Sequence, residues 1–121
     1  MKKLITSVVA FGVLMVNTPN ATAHAILVDS NPKASSVLSK LPMKVWLEFD
    51  GNLITFGKMN INKISIKGPK GEYAKGNPII GGARITTLVK SIYDKGNYSI
   101  TWRVISEDGH PVTGRVLFTV I

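Results

Sequence analysis

From Tyr98 to Val104 every second residue is apolar, with Tyr98, Ile100, Trp102 and Val104 alternating with Ser99, Thr101 and Arg103. A helix cannot hold that pattern on one face, because its side chains two apart diverge by about 200°, whereas in a strand they point the same way. The same period returns where Val45, Leu47 and Phe49 alternate with Trp46, Glu48 and Asp50. It returns again where Val116, Phe118 and Val120 alternate with Arg115 and Thr119. Each run predicts an antiparallel strand with one face in a core and one in water. Ala25–Asp29, 60–67 and Arg84–Lys90 are further strand candidates. No part of the chain beyond its first residues carries a convincing 3.6-residue period.

Turn chemistry separates these runs. Asn31-Pro32, Asp50-Gly51-Asn52, Gly68-Pro69-Lys70-Gly71, Gly81-Gly82, Asp94-Lys95-Gly96-Asn97 and Asp108-Gly109 all fall between them. Six or seven short strands at near-regular spacing predict an all-β fold, an immunoglobulin-like sandwich or a small barrel. The 121 residues allow one domain. At that size a core fits, but not a deep substrate cavity as well. The chain has no cysteine. That excludes a disulfide scaffold, a zinc knuckle, an iron–sulfur cluster and a cysteine nucleophile.

The first residues read differently. Lys2 and Lys3 precede an apolar run from Leu4 to Val16, and Ala21-Thr22-Ala23 is an A-x-A cleavage site. This is the signature of a secretory signal peptide, and the run is too short for a membrane span. Residues 1–23 are therefore expected to be removed, leaving an exported chain that begins at His24. Losing Lys2 and Lys3 lowers the net charge from +8 to +6. Export argues against a nucleic-acid partner. The remaining lysines spread from Lys33 to Lys95 without a tight cluster in sequence. They read as a solvated surface, with at most a weak electrostatic preference for an anionic membrane or an acidic partner.

Candidate chemistry rests on two histidines, His24 and His110. No G-x-S-x-G elbow and no Gly-rich phosphate loop accompanies them, so hydrolase and nucleotide chemistry find no support. Signal cleavage would free the α-amine of His24. That amine and the ring Nδ1 of the same residue can close a six-membered chelate on one metal ion, which the precursor amide cannot do. His110 sits in Asp108-Gly109-His110-Pro111. In an extended segment Asp108 and His110 would point to one side and offer a carboxylate and an imidazole together. Gly109 allows a bend between them and Pro111 stiffens its exit. Amine, two imidazoles and a carboxylate form an N₃O set that suits one Cu(II) ion. The alternative is an ordinary Asp-Gly hairpin turn with a packed histidine. The metal reading further requires that the two ends of the sequence meet in space.

The chain resembles the CopC family of periplasmic copper-binding domains from His24 to Ile121. The resemblance is carried by His24-Ala25 with Leu27, by Ser30-Asn31-Pro32, and by the T-W-R-V-x-S-x-D-G-H-P-V-x-G run from Thr101 to Gly114. Residues 57–87 match only loosely. The resemblance implies a seven-stranded Greek-key sandwich and a monomeric periplasmic Cu(II) carrier or store rather than an enzyme. It implies His24, Asp108 and His110 as ligands, and an inner-membrane copper transporter of the CopD kind as partner. Two departures matter. Some members carry Ser-Glu-Asn-Leu near the Cu(II) site, where this chain has Asp50-Gly51-Asn52-Leu53, so Gly51 replaces the glutamate. Asp50 is one residue early and is left out of the site. Some members hold Cu(I) in a Met-rich loop, whereas beyond residue 23 only Met43 and Met59 are present. These are expected to fill gaps in the core, which leaves a Cu(II)-only protein.

Elsewhere, Trp102 is expected in the core, and Trp46 partly exposed or on a second sheet. Arg103 is expected to pair with Glu48 or Asp50, and Glu107 to lie in solvent. Two other functions compete with the carrier. A histidine-brace copper oxygenase would need open coordination positions and a broad substrate face, and redox turnover would reveal it. A metal-free immunoglobulin-like interaction module would fail a copper titration.

Overall fold

The computed structural model describes residues 25–121. His24 and the expected signal peptide lie outside the described residues. Nine strands follow in order: β1 (Leu27–Asn31), β2 (Ser36–Leu38), β3 (Lys44–Phe49), β4 (Lys63–Gly68), β5 (Gly71–Glu72), β6 (Ala74–Gly81), β7 (Arg84–Val89), β8 (Gly96–Ile105) and β9 (Pro111–Val120). They form two sheets, β1-β3-β7-β6 and β2-β9-β8-β4-β5. The expected all-β sandwich is therefore present, and the barrel alternative is not.

The alternating runs became strands with their apolar faces inward. Val45, Leu47, Phe49 and Ile85 face Tyr98, Ile100, Trp102, Val104, Val116 and Phe118 across the core, and all are buried. The register locks this arrangement, pairing Tyr98 with Phe118, Ile100 with Val116 and Trp102 with Gly114. The Trp102 ring lies on Gly114, where an added Cβ would come within 2.8 Å of Cε2. Phe49 meets the same ring edge-on, with centroids 6.1 Å apart.

Three strands were not expected. β2 has three residues and pairs in parallel with β9, and β5 has only two. β6 contains Gly76 and Pro78, which read as breakers, yet it is an edge strand with an irregularity between Lys75 and Ile79. Edges and bulges are where a sheet tolerates both residues.

The connections gather at two poles. The start of β1, the β3–β4 crossing, the β6–β7 turn and the β8–β9 loop lie at one pole. The β2–β3 connection, the β4–β5 turn and the β7–β8 loop lie at the other, as the pairing of Lys44 with Leu88, Leu88 with Lys75 and Gly96 with Val120 requires.

Candidate metal centre

Asp108 and His110 sit at the first pole, in the loop between β8 and β9. They come together through a tight turn at Asp108-Gly109, where the turn chemistry placed one, and not through a continuous extended segment. The Gly109 N–H donates to the Ser106 carbonyl at 2.9 Å, and Gly109 has φ +83°, a left-handed conformation that suits glycine. Asp108 Oδ1 accepts from the backbone N–H of His110 at 3.0 Å and from Ser106 Oγ at 2.7 Å. This aspartate side chain folds the turn around itself. Pro111 then opens β9, paired with Ile105, where its missing N–H does no harm.

The second oxygen, Asp108 Oδ2, lies 3.3 Å from His110 Nδ1. Two donors bound cis on one tetragonal ion, at about 2.0 Å each, would be about 2.8 Å apart. The observed pair is thus near the spacing of neighbouring ligands. The His110 side chain is 69% exposed and that of Asp108 only 13%. The His110 N–H, and then the Ser106 hydroxyl, hold the Asp108 carboxyl down to about 2, against a smaller opposing effect of burial. It is therefore a carboxylate at any pH where a metal could bind. Among the described residues no group of three His, Cys, Asp or Glu could hold a metal ion.

The first described residues approach the same pole. The Ile26 N–H donates to Asp50 Oδ1 at 2.9 Å, and the Asp50 N–H donates to the Ile26 carbonyl at 2.9 Å. Asp50 thus clasps the first described residues. A few residues on, Leu53 bridges Ser106 and the Ile54 N–H donates to the Ile105 carbonyl at 2.8 Å. Buried Asn62 secures this crossing, donating to the Ile54 carbonyl at 2.7 Å and accepting from the Ile105 N–H at 2.8 Å. One short segment therefore ties Ile26 to the strand leading into the Asp108 turn. Ala25, the neighbour of His24, is buried.

Several expectations need correction. Met43 and Met59 do not fill the core, since they are 78% and 66% exposed. They lie on connections that leave the sheets, where no apolar wall reaches them. Arg103 does not take Glu48. Arg84 does, with Nη2 2.7 Å from Oε1, while its guanidinium lies 3.8 Å over the Trp46 ring. Strand register explains the choice, because Glu48 pairs directly with Arg84 in one sheet and Arg103 belongs to the other. Trp102 is buried, Trp46 is half-buried and Glu107 is exposed, as expected. Gly51 has open space around it. Ser106, Asp50 and Asn62, which hold the turn and its neighbour in place, were not singled out for those roles. The S-x-D-G-H spacing was the one signal available for Ser106, since a serine two residues before an aspartate can reach its carboxylate.

Residues 27–121 match the CopC domain family. The chain belongs to that family. Copper resistance protein C of Escherichia coli is 30% identical to this CopC chain over 126 residues, covering 99% of each. The copper transport protein CutJ of Bacillus subtilis (strain 168) is 32% identical over 102 residues, covering 81% of this chain and 18% of CutJ. The crystal structure of CopC from Methylosinus trichosporium OB3b superimposes with a TM-score of 0.68 at 29% identity, covering 80% of this chain and 93% of that one. The CopC resemblance and the sandwich read from the sequence both hold.

Proposed function

We propose that this CopC chain is an exported carrier or store of one Cu(II) ion, and not an enzyme. The observation that carries the reading is the Asp108–His110 pair, 3.3 Å apart on a self-folded turn, beside the segment that clasps Ile26. The copper-resistance and copper-transport names of the relatives supply the cargo. In this reading residues 1–23 are removed, and His24 adds its amine and Nδ1 to the Asp108 carboxylate and the His110 imidazole. Copper is then held by four donors without sulfur, a set on which Cu(II) outcompetes Zn(II) and Cu(I) binds weakly. Two exposed thioethers on separate connections do not make a soft Cu(I) site. In CutJ the matched segment is 18% of a longer transport protein, which supports a membrane transporter of the CopD kind as the receiver of the ion.

The test isolates one atom. A chain carrying one extra residue before His24 keeps every side chain but turns the amine into an amide. Cu(II) affinity measured by calorimetry, with paramagnetic resonance to report the donors, should fall at least about 100-fold, more than a typical second-sphere loss of 10–100-fold. Equal binding by the extended and processed chains would remove the His24 amine from the site.

A further inference from the structure

The lysines that are scattered in sequence converge in space. Lys40, Lys44, Lys70, Lys75, Lys90 and Lys95 all lie at or beside the connections of the pole opposite Asp108 and His110, and all are exposed. The acid among them is Asp94, which takes Lys70 at 3.4 Å and accepts from the Tyr73 hydroxyl at 2.8 Å. Nearby Lys67 and Glu72 neutralise each other. Among the described residues the other five lysines have no ion pair. The turn-side pole is close to neutral, because Asp50, Glu107, Asp108 and Glu48 balance Lys58, Lys63, Arg84 and Arg103 there. The charge of the domain is thus concentrated at one end of its long axis.

Gathering like charges lowers stability unless something outside the molecule is opposite to them. Two apolar side chains stand among the lysines without cover. Ile92 is 87% exposed in the β7–β8 loop, and Met43 is 78% exposed just before β3. None of the three arginines is at this pole. Arginine suits fixed, bidentate partners, whereas lysine is a mobile point charge. Mobile cations around two projecting aliphatic side chains suit a fluid anionic surface better than a shaped acidic pocket.

We infer that this lysine pole docks on an anionic phospholipid surface, with the ammonium groups among the headgroups and Ile92 and Met43 reaching toward the acyl boundary. The ten-residue strands β8 and β9 then stand the Asp108 turn off from the lipid by roughly 30 Å. The inference does not depend on copper binding, and the two fail separately.

The test is co-sedimentation of the chain from His24 onward, which contains both sheets, since a retained leader would insert by itself. The probes are phosphatidylcholine vesicles with and without phosphatidylglycerol. Affinity should be at least about tenfold higher with phosphatidylglycerol and should fall steeply with salt. Lys90→Glu with Lys95→Glu should lower it at least about tenfold, and Ile92→Asp should lower it further. Lys63→Glu with Arg103→Glu changes the net charge equally but lies toward the other pole, and should change affinity less than about twofold. Unchanged thermal unfolding and Cu(II) titration confirm that the variants are folded. Equal binding to both vesicles, or an equal loss from both double variants, overturns the inference. So does binding to an acidic protein column without binding to vesicles.

Discussion

Ser106 donates its hydroxyl to Asp108 and is itself buried, so in the proposed copper site it would act through the carboxylate and not by touching the metal. Ser106→Ala should lower Cu(II) affinity by about 10–100-fold, as losing a partner behind a ligand usually does. It should change the apo protein by no more than about 1 kcal/mol. Calorimetry and urea unfolding measure the two. The same substitution should raise the Asp108 pKa from about 2, and carbon-detected NMR titration would follow it. The sign of the linkage is fixed by that depression. Asp108 contributes stability above the ordinary carboxylate range near pH 3.9, and the contribution is lost as pH falls toward 2. Copper affinity should weaken earlier as pH falls, because protons compete with the metal for its nitrogen donors while Asp108 stays ionised. Gly51→Glu, in open space, should fold normally. A gain in Cu(II) affinity would show that the missing carboxylate can be restored.

At the scale of elements, the edge strand β1 depends on Asp50 for its first hold. Asp50→Ala should loosen Ile26, speed amide exchange there and weaken Cu(II) binding, whereas Asp50→Asn keeps an acceptor oxygen and should retain both. In the β8–β9 hairpin, Gly114→Ala puts a methyl against the Trp102 ring and should cost about 1–3 kcal/mol in urea unfolding. Strands such as β3, β8 and β9 were legible because a half-buried antiparallel strand writes its two faces into alternate residues. β2, β5 and β6 were not legible. Two are too short to show a period, and the third carries Gly76 and Pro78, which only its edge position makes tolerable. The Asp108-Gly109 turn was legible from its turn chemistry, but not that the Asp108 side chain folds it by accepting from Ser106 and His110. Alternation describes an extended chain, and this aspartate bends the chain by capping its own backbone.

At the scale of the whole molecule, the two-pole distribution of charge could not be read from spacing. It exists only once hairpin register brings residues 44, 75 and 90 to the same end. Tyr73 belongs to that end too. Burial first, and then its hydrogen bond to Asp94, push its hydroxyl up to about 12. Unfolding frees it to ionise near 10, so stability should be lost as pH rises from about 10 to 12, which tyrosinate absorbance together with circular dichroism would detect.

The tie between Ile26, the crossing at 50–54 and Ser106 also bears on how the molecule folds. Ile26 and Ser106 are 80 positions apart, and they meet only through a crossing that joins the two sheets. Contacts so distant in sequence close late, after most of the chain entropy has been surrendered. In the proposed site the His24 chelate and the Asp108–His110 pair are each local, and the four donors come together on one ion only once that contact has closed. Cu(II) added during refolding should therefore leave the folding rate nearly unchanged and appear almost wholly as slower unfolding, a split that stopped-flow kinetics with and without the ion would resolve.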